Sequence, residues 1–90
     1  MGTFHQDKGE LHGITVVVDT VGSEIYVGRC DVMTEERILL HDVDVHREGE
    51  GGRSKEEYLE RAAQLGTWKK FDQLEIPAEV IASVRRLGDL

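Results

Sequence analysis

Three stretches rich in apolar residues lie in the first half of the chain and predict three β-strands. Residues 14–18 and 24–30 are dominated by β-branched and aromatic side chains, and residues 37–46 resume this composition after a polar turn at 34–36. Such side chains lose less conformational freedom in a strand than in a helix. The glycine-containing turn at 21–23 separates the first two strands.

Gly28 lies in the middle of the second predicted strand. With alternating side chains, Tyr26, Gly28, Cys30 and Val32 share one face of that strand. A missing side chain within a strand permits a sharp bend or a close backbone crossing. We therefore predict a strongly bent second strand, as small barrels require.

The middle of the chain predicts one inserted helix, over residues 54–65. A flexible glycine-rich connection, residues 49–52, precedes it. Ser54 and Glu57 match a capping box, in which each side chain satisfies an otherwise unpaired backbone N–H. Glu57 could also pair with Arg61 one turn later, and Gly66 suits the end of the helix. The predicted apolar stripe consists of Tyr58, Leu59, Ala62, Ala63 and Leu65.

The segment after this helix has aromatic residues and a short alternating run. Trp68 and Phe71 are interpreted as anchors in the core or at a hinge, because large aromatic side chains usually bury much of their surface. Leu74 and Ile76 flank Glu75, which indicates a short half-buried strand.

The last segment, residues 78–87, fits two structures. Pro77 at a first helical position and Glu79 in the first turn favour a helix. Residues 81–84 are equally suited to a closing strand. Hydrophobic periodicity alone does not distinguish the two.

The composition indicates one folded domain. The chain has 90 residues, of which 39% are hydrophobic and 32% charged, and these values are typical of a globular protein. We expect a single domain over residues 13–90, preceded by a flexible N-terminus at residues 1–12. The sequence has no run of roughly 20 apolar residues and no leader pattern. We therefore expect a cytoplasmic location and no membrane association. Cys30 has no second cysteine to pair with and is interpreted as a small buried side chain.

The net charge of −7 disfavours partners that need a broad basic surface, and DNA is therefore not expected as a partner. Two short cationic pairs, Lys69-Lys70 and Arg85-Arg86, are interpreted as solvated surface charge.

One cluster suggests chemistry. On an extended strand Asp42, Asp44 and His46 project to the same face, which could place two carboxylates and an imidazole around a divalent ion. We interpret these residues as the water-exposed face of a strand, with Val43 and Val45 buried opposite. The alternative is a metal-binding module or a metal-dependent enzyme. The common nucleotide, zinc-protease and hydrolase motifs are absent from the sequence, so we expect no cofactor.

The order of these elements resembles the first motif of the Sm-like family, which includes the Sm and Lsm proteins and the Hfq-type chaperones. That motif has an apolar strand, a glycine turn, a strongly bent strand with a central glycine, a polar loop and a third apolar strand. The end of the chain resembles the second motif, in which a proline-containing turn leads into the last strand, and together the two motifs cover about half of the chain. The matching residues are Ile14 to Val18, Gly22, Tyr26 to Cys30, Thr34 to Glu36, Ile38 to Leu40, Ile76, Pro77, Val80, Ile81 and Val84.

The resemblance implies a mainly β fold, a small strongly bent five-stranded SH3-like barrel, here with one helix inserted before the last two strands. It favours a strand rather than a helix at residues 81–87. Members of the family commonly pair the fourth strand of one subunit with the fifth of the next. The resemblance therefore implies self-association through sheet edges and a non-enzymatic, oligomeric binding scaffold.

The family commonly contacts nucleobases from the loop before the third strand. The resemblance places Met33, Thr34 and Arg37 at this position as candidate binding residues. Glu35 and Glu36 lie beside Arg37, and a ring would repeat these negative charges. We therefore expect a protein partner rather than RNA.

Overall fold

Five strands and one helix make up the part of the chain that the computed structural model describes, residues 11–90. The strands are β1 (Thr15–Thr20), β2 (Glu24–Met33), β3 (Arg37–Arg47), β4 (Phe71–Pro77) and β5 (Ile81–Arg86), and the helix α1 (Lys55–Leu65) lies between β3 and β4. All neighbouring strands are antiparallel and form one sheet in the order β4-β3-β2-β1-β5.

The predicted mainly β fold, with a helix before the last two strands, is confirmed. The segment that sequence left open forms a single 3-10 turn, Ala78–Val80, followed by strand β5. A helix over residues 78–87 is therefore excluded. The N-terminal prediction falls largely on residues 1–10, outside the described part, but Leu11 already packs against the core.

Strand β1 is buried on both faces, which explains its run of three valines. Val16 and Val18 face one hydrophobic cluster, the inner core, and Val17 faces a second, the outer core. All three are fully buried. The inner core also contains Cys30, Ile38, Leu40, Val43 and Ile76, and the outer core contains Ile25, Val27 and Leu59 of α1.

Gly28 allows β2 and β3 to approach closely. A Cβ atom on Gly28 would lie 3.1 Å from the His41 carbonyl oxygen and 3.3 Å from the Val43 Cα. The pairing register of β2 with β3 shifts at this point and again between Cys30 and Val32. Such irregularities bend a strand and increase its twist. The predicted role of Gly28 at a close backbone crossing is thus confirmed.

Helix α1 begins with the predicted capping box. The Glu57 N–H donates to Ser54 Oγ (3.1 Å), and the Ser54 N–H donates to Glu57 Oε1 (2.9 Å). Lys55 fixes the same end to the β1–β2 turn, because its Nζ contacts Asp19 Oδ1 at 2.8 Å and the Gly22 carbonyl at 2.8 Å. Leu59 and Ala62 are the buried residues of the helix.

Leu65 is predicted in the apolar stripe of the helix, and Trp68 and Phe71 are predicted as anchors in the core or at a hinge. The exposure of all three side chains contradicts burial in the core. Leu65 is 73%, Trp68 87% and Phe71 43% exposed. Gly66, with a φ of 82°, ends the helix, so the residues after it do not continue the apolar stripe. The chain returns at Lys70, whose N–H donates to the Val43 carbonyl at 2.7 Å.

We predict that Gly28→Ala lowers the free energy of unfolding by about 1–3 kcal/mol, because the added methyl group must displace the β3 backbone rather than a flexible side chain. Urea denaturation followed by circular dichroism measures the change. Gly88→Ala is the matched control, since nothing lies within 4 Å of a Cβ there. Equal stability of the two variants would contradict the proposed close crossing.

Candidate functional site

The turn between β2 and β3 brings together the three binding residues suggested by the family resemblance. Thr34 Oγ1 accepts the N–H groups of Glu36 and Arg37, each at 3.2 Å. The Arg37 guanidinium forms an ion pair with Glu75 of β4 and lies 3.9 Å from Glu36 Oε1. Met33 is half-buried against the inner core. The hydroxyl and the guanidinium of this turn thus already have protein partners.

Asp42 lies at an irregularity in β3 rather than in regular strand geometry. It has a left-handed φ of 54°, which is uncommon outside glycine but accessible to aspartate. The register shift between β2 and β3 falls beside it. Its carboxylate accepts a hydrogen bond from Arg29 (Nη2 to Oδ2, 2.6 Å) and lies 3.7 Å from Lys69 Nζ.

Asp44 is buried beneath α1. It pairs in register with Val27 of the outer core, so its side chain lies on the face that the helix covers. Oδ2 accepts the Tyr58 hydroxyl at 2.6 Å, and Oδ1 accepts the Val45 N–H at 3.0 Å. Lys70 Nζ lies 3.3 Å from Oδ1. These contacts compensate the desolvation of the carboxylate.

His46 is buried on the same face, beside Asp44. Its Nε2–H donates to the Arg53 carbonyl oxygen at 3.0 Å, and its other ring nitrogen lies 3.6 Å from Glu50 Oε1. The imidazole stacks on the Tyr58 ring with 4.7 Å between ring centroids and 4° between planes. The histidine thus connects β3 to both the glycine-rich connection and α1.

The structure therefore corrects the expectation of a water-exposed face. Asp44 and His46 are each only 6% exposed, because α1 packs on a surface that the strand pattern left open. Each side chain of the suggested metal cluster has a different protein partner. Among residues 11–90 no group of three or more His, Cys, Asp or Glu side chains is arranged to hold a metal ion.

Burial raises the pKa of Tyr58 well above its ordinary value of 10, and the hydrogen bond to Asp44 raises it further. The phenol therefore remains a hydrogen-bond donor to the carboxylate throughout the neutral range. Sequence analysis placed Tyr58 in an apolar stripe and missed this role. The packing of α1 on β3, which pairs the phenol with Asp44, was not visible in the chain pattern.

We predict that Tyr58→Phe lowers the free energy of unfolding at pH 7 by about 1.5–3 kcal/mol, because it removes a hydrogen bond to a buried charge. In the wild type, unfolding releases the Tyr58 proton above pH 10, so stability should fall as the pH rises further. The variant should lose this part of the alkaline decline. Urea titrations between pH 7 and pH 11 measure both effects.

Tyr26→Phe is the control, because the Tyr26 hydroxyl makes no hydrogen bond within the described residues. A loss in Tyr58→Phe no greater than that in Tyr26→Phe would show that the Asp44 contact does not stabilise the fold.

A second polar cluster lies at the end of β2 and was not predicted. His41 Nε2 lies 2.9 Å from Asp31 Oδ2, and the His12 ring donates from Nδ1 to the Asp31 carbonyl at 2.7 Å. A cavity of about 150 Å³ adjoins this cluster and Cys30. Burial raises the pKa of the Cys30 thiol, which opposes thiolate formation. The sequence assigned His12 to the N-terminal tail, and only the β2–β3 pairing brings His41 close to Asp31.

The two outer strands of the sheet, β4 and β5, are not paired with each other. Between them the inner core is incompletely covered, since four apolar residues that pack on it are only half-buried: Leu74, Val80, Ile81 and Val84. A cavity of about 390 Å³ lies beside β4 and one of about 540 Å³ beside β5. Unpaired strand edges of this kind can hydrogen-bond to another chain.

The two edges differ in charge. Strand β4 has two exposed acidic residues, Asp72 and Glu75, and β5 has two exposed basic residues, Arg85 and Arg86. Neither arginine of β5 forms an ion pair with any residue of the described range. Asp72 and Glu75 each have a cationic partner, Lys69 and Arg37 respectively, so the two arginines of β5 account for most of the difference in charge between the edges.

None of the helices in residues 11–90 is long and apolar enough to cross a membrane.

The strand order, the bent second strand and the two open edges define an Sm-like fold. An Sm protein of Pyrococcus abyssii, solved in complex with a uridine heptamer, superposes with a TM-score of 0.62 and 11% identity, over 91% of this chain and 94% of that chain. A chain of the NatC complex bound to CoA superposes with a TM-score of 0.59 and 13% identity, over 87% of this chain and 80% of that chain. At such low identity these similarities establish the fold alone.

No protein-family model matches the sequence. No curated protein sequence matches it significantly. The superposition with the Sm protein thus confirms the resemblance to the Sm-like pattern at the level of three-dimensional structure.

Proposed function

We propose that this chain is a non-enzymatic Sm-like binding scaffold that self-associates by pairing β4 of one subunit with β5 of the next. The observation that supports this most directly is the pair of open edges flanking half-buried core residues. Pairing would satisfy the free backbone groups of both edges and would cover Leu74 and Val84. A cytoplasmic location and the absence of a cofactor, both expected from the sequence, are part of the same proposal.

The charges favour pairing of unlike edges. A contact between two β4 edges would bring Asp72 and Glu75 of both copies together, and a contact between two β5 edges would bring four arginines together. Pairing β4 with β5 instead places acidic residues opposite basic ones. Such a head-to-tail contact leaves a free edge at each end, so it produces a closed ring or an open filament.

We predict that Arg85→Glu with Arg86→Glu converts the oligomer to monomers, since both edges of this variant are acidic. Asp72→Lys with Glu75→Lys should do the same, since both of its edges are basic. Mixing the two double variants should restore assembly, because each edge then meets an oppositely charged one. Light scattering coupled to size-exclusion chromatography at low salt measures the mass of each sample.

The control is Glu56→Lys with Glu60→Lys, which changes two exposed charges on α1 and should leave the oligomer intact. A monomeric wild type, or double variants that assemble as the wild type does, would contradict edge pairing.

A protein partner is favoured over RNA. The complex of the Pyrococcus abyssii protein with a uridine heptamer makes RNA the alternative to test. In this chain the Arg37 guanidinium already pairs with Glu75, and Glu35 and Glu36 are exposed beside it. A ring would repeat this acidic loop in every subunit. The carboxylates would repel the phosphates of RNA that come within the screening length of about 10 Å. The similarity to a chain of the NatC complex supports a use of this fold within a protein assembly.

We predict weak or undetectable binding of short U-rich and A-rich single-stranded RNA at physiological salt. Fluorescence anisotropy across a salt series measures the affinity. Sub-micromolar binding that is lost in Arg37→Ala but retained in Arg85→Ala would contradict this prediction and establish RNA binding at the β2–β3 turn.

A further inference from the structure

A groove separates α1 from the segment that leads into β4. Its walls include Arg53, Arg61, Leu65 and Trp68, and its volume is about 230 Å³. Asp44 also lines it, but its carboxylate already accepts the Tyr58 hydroxyl and lies 3.3 Å from Lys70 Nζ. A closed cavity of about 150 Å³ accommodates benzene, so this groove is large enough for one aliphatic or aromatic side chain. We call it the Trp68 groove.

The rim of the Trp68 groove is strongly apolar for a solvent-exposed surface. Trp68 is 87% and Leu65 73% exposed. Both lie beside Gly66, whose N–H donates to the Ala62 carbonyl of α1. The segment that follows is bonded to the sheet at Lys70, whose N–H donates to the Val43 carbonyl. Tryptophan is among the residues most enriched at the energetic centres of protein interfaces.

The groove also contains unpaired positive charge. Arg53 and Arg61 form no ion pair with any residue in the described range. The sequence suggested a Glu57–Arg61 pair, but Glu57 turns back to cap the Ser54 N–H instead. Arg53 is held on the rim by its backbone, because its N–H donates to the Glu50 carbonyl and its own carbonyl accepts from His46.

We propose that the Trp68 groove binds a short acidic peptide segment of a partner protein, with one large apolar side chain against Trp68 and flanking carboxylates on Arg53 and Arg61. Paired guanidinium and carboxylate groups are strong and directional contacts. The wall tyrosine, Tyr58, is already stacked on His46 and bonded to Asp44, so the groove offers Trp68 alone as a free aromatic surface. Single-stranded nucleic acid binding uses successive stacking platforms, and a peptide therefore fits this surface better.

The groove is distinct from the sheet edges used in the proposed assembly. Arg53 lies between the glycine-rich connection and α1, and Arg61 lies in α1, whereas the arginines of the basic edge belong to β5. Peptide binding at Trp68 does not depend on edge pairing, so either proposal can fail without the other.

The test is selection of peptides against the full chain from a library of random displayed seven-residue sequences, with Trp68→Ala as the counter-selection. Selected peptides should share an apolar residue flanked by Asp or Glu. Anisotropy of the labelled synthetic peptides should show affinity about tenfold weaker or more for Trp68→Ala, and several-fold weaker for Arg61→Gln. Trp68 is the only tryptophan, so its emission should shift to shorter wavelength when the wild type binds.

Val21→Ala removes part of another exposed apolar side chain elsewhere, and Arg85→Gln removes an arginine of β5 that forms no ion pair among residues 11–90. Both controls should bind the peptides as the wild type does. Enrichment of no peptide over the counter-selection, or enrichment of peptides without acidic residues, would overturn the proposal. Quenching of the Trp68 emission by a uridine heptamer in the absence of peptide would also overturn it. A shift of that emission with protein concentration alone would do the same, because the groove would then be a contact between copies of this chain.

Discussion

The close approach of β2 and β3 at Gly28 is the constraint on which the rest of the structure depends. Because no Cβ atom separates the strands there, the His41 carbonyl and the Val43 backbone lie against β2. The register shifts beside this contact, and the sheet can curve around the inner core. The outer strands of this curved sheet, β4 and β5, are not paired with each other, so the sheet that encloses the inner core also has two open edges.

The inserted helix gives the outer face of this sheet a second core. Leu59 of α1 completes an apolar cluster with Val17 and Val27, and Tyr58 extends it into a polar contact with Asp44. The buried carboxylate requires these partners, since an unpaired charge at this depth would be strongly destabilising. Asp44 and His46, which the sequence suggests as metal ligands, thus hold α1 on the sheet through their contacts with Tyr58.

Local rules predicted the features whose cause is local. The capping box at Ser54, the strand composition of β1 to β3 and the glycine in β2 each have a physical effect within a few residues, and the structure has all of them. The closing strand was ambiguous because Pro77 suits both a helix start and a turn, and the family pattern resolved it correctly. The exposure of Trp68 and the burial of His46 could not be predicted, because both depend on where α1 packs and on where the chain leaves it at Gly66.

The distribution of charge connects the two proposed binding surfaces. In a chain with net charge −7, most lysines and arginines of the described range have an acidic partner within 4 Å, and four arginines do not: Arg53, Arg61, Arg85 and Arg86. Two of these line the Trp68 groove and two lie on the β5 edge. Beyond about 10 Å salt screens the acidic background, so each arginine pair acts mainly on groups that come into contact with it. Each arginine pair has one carboxylate near it, Asp44 in the Trp68 groove and Asp89 beside β5. An extended polyanion would also meet the carboxylates farther away, whereas a short acidic segment or a β4 edge would not. This charge pattern is the reason that both proposals name protein segments, rather than nucleic acid, as the groups to be bound.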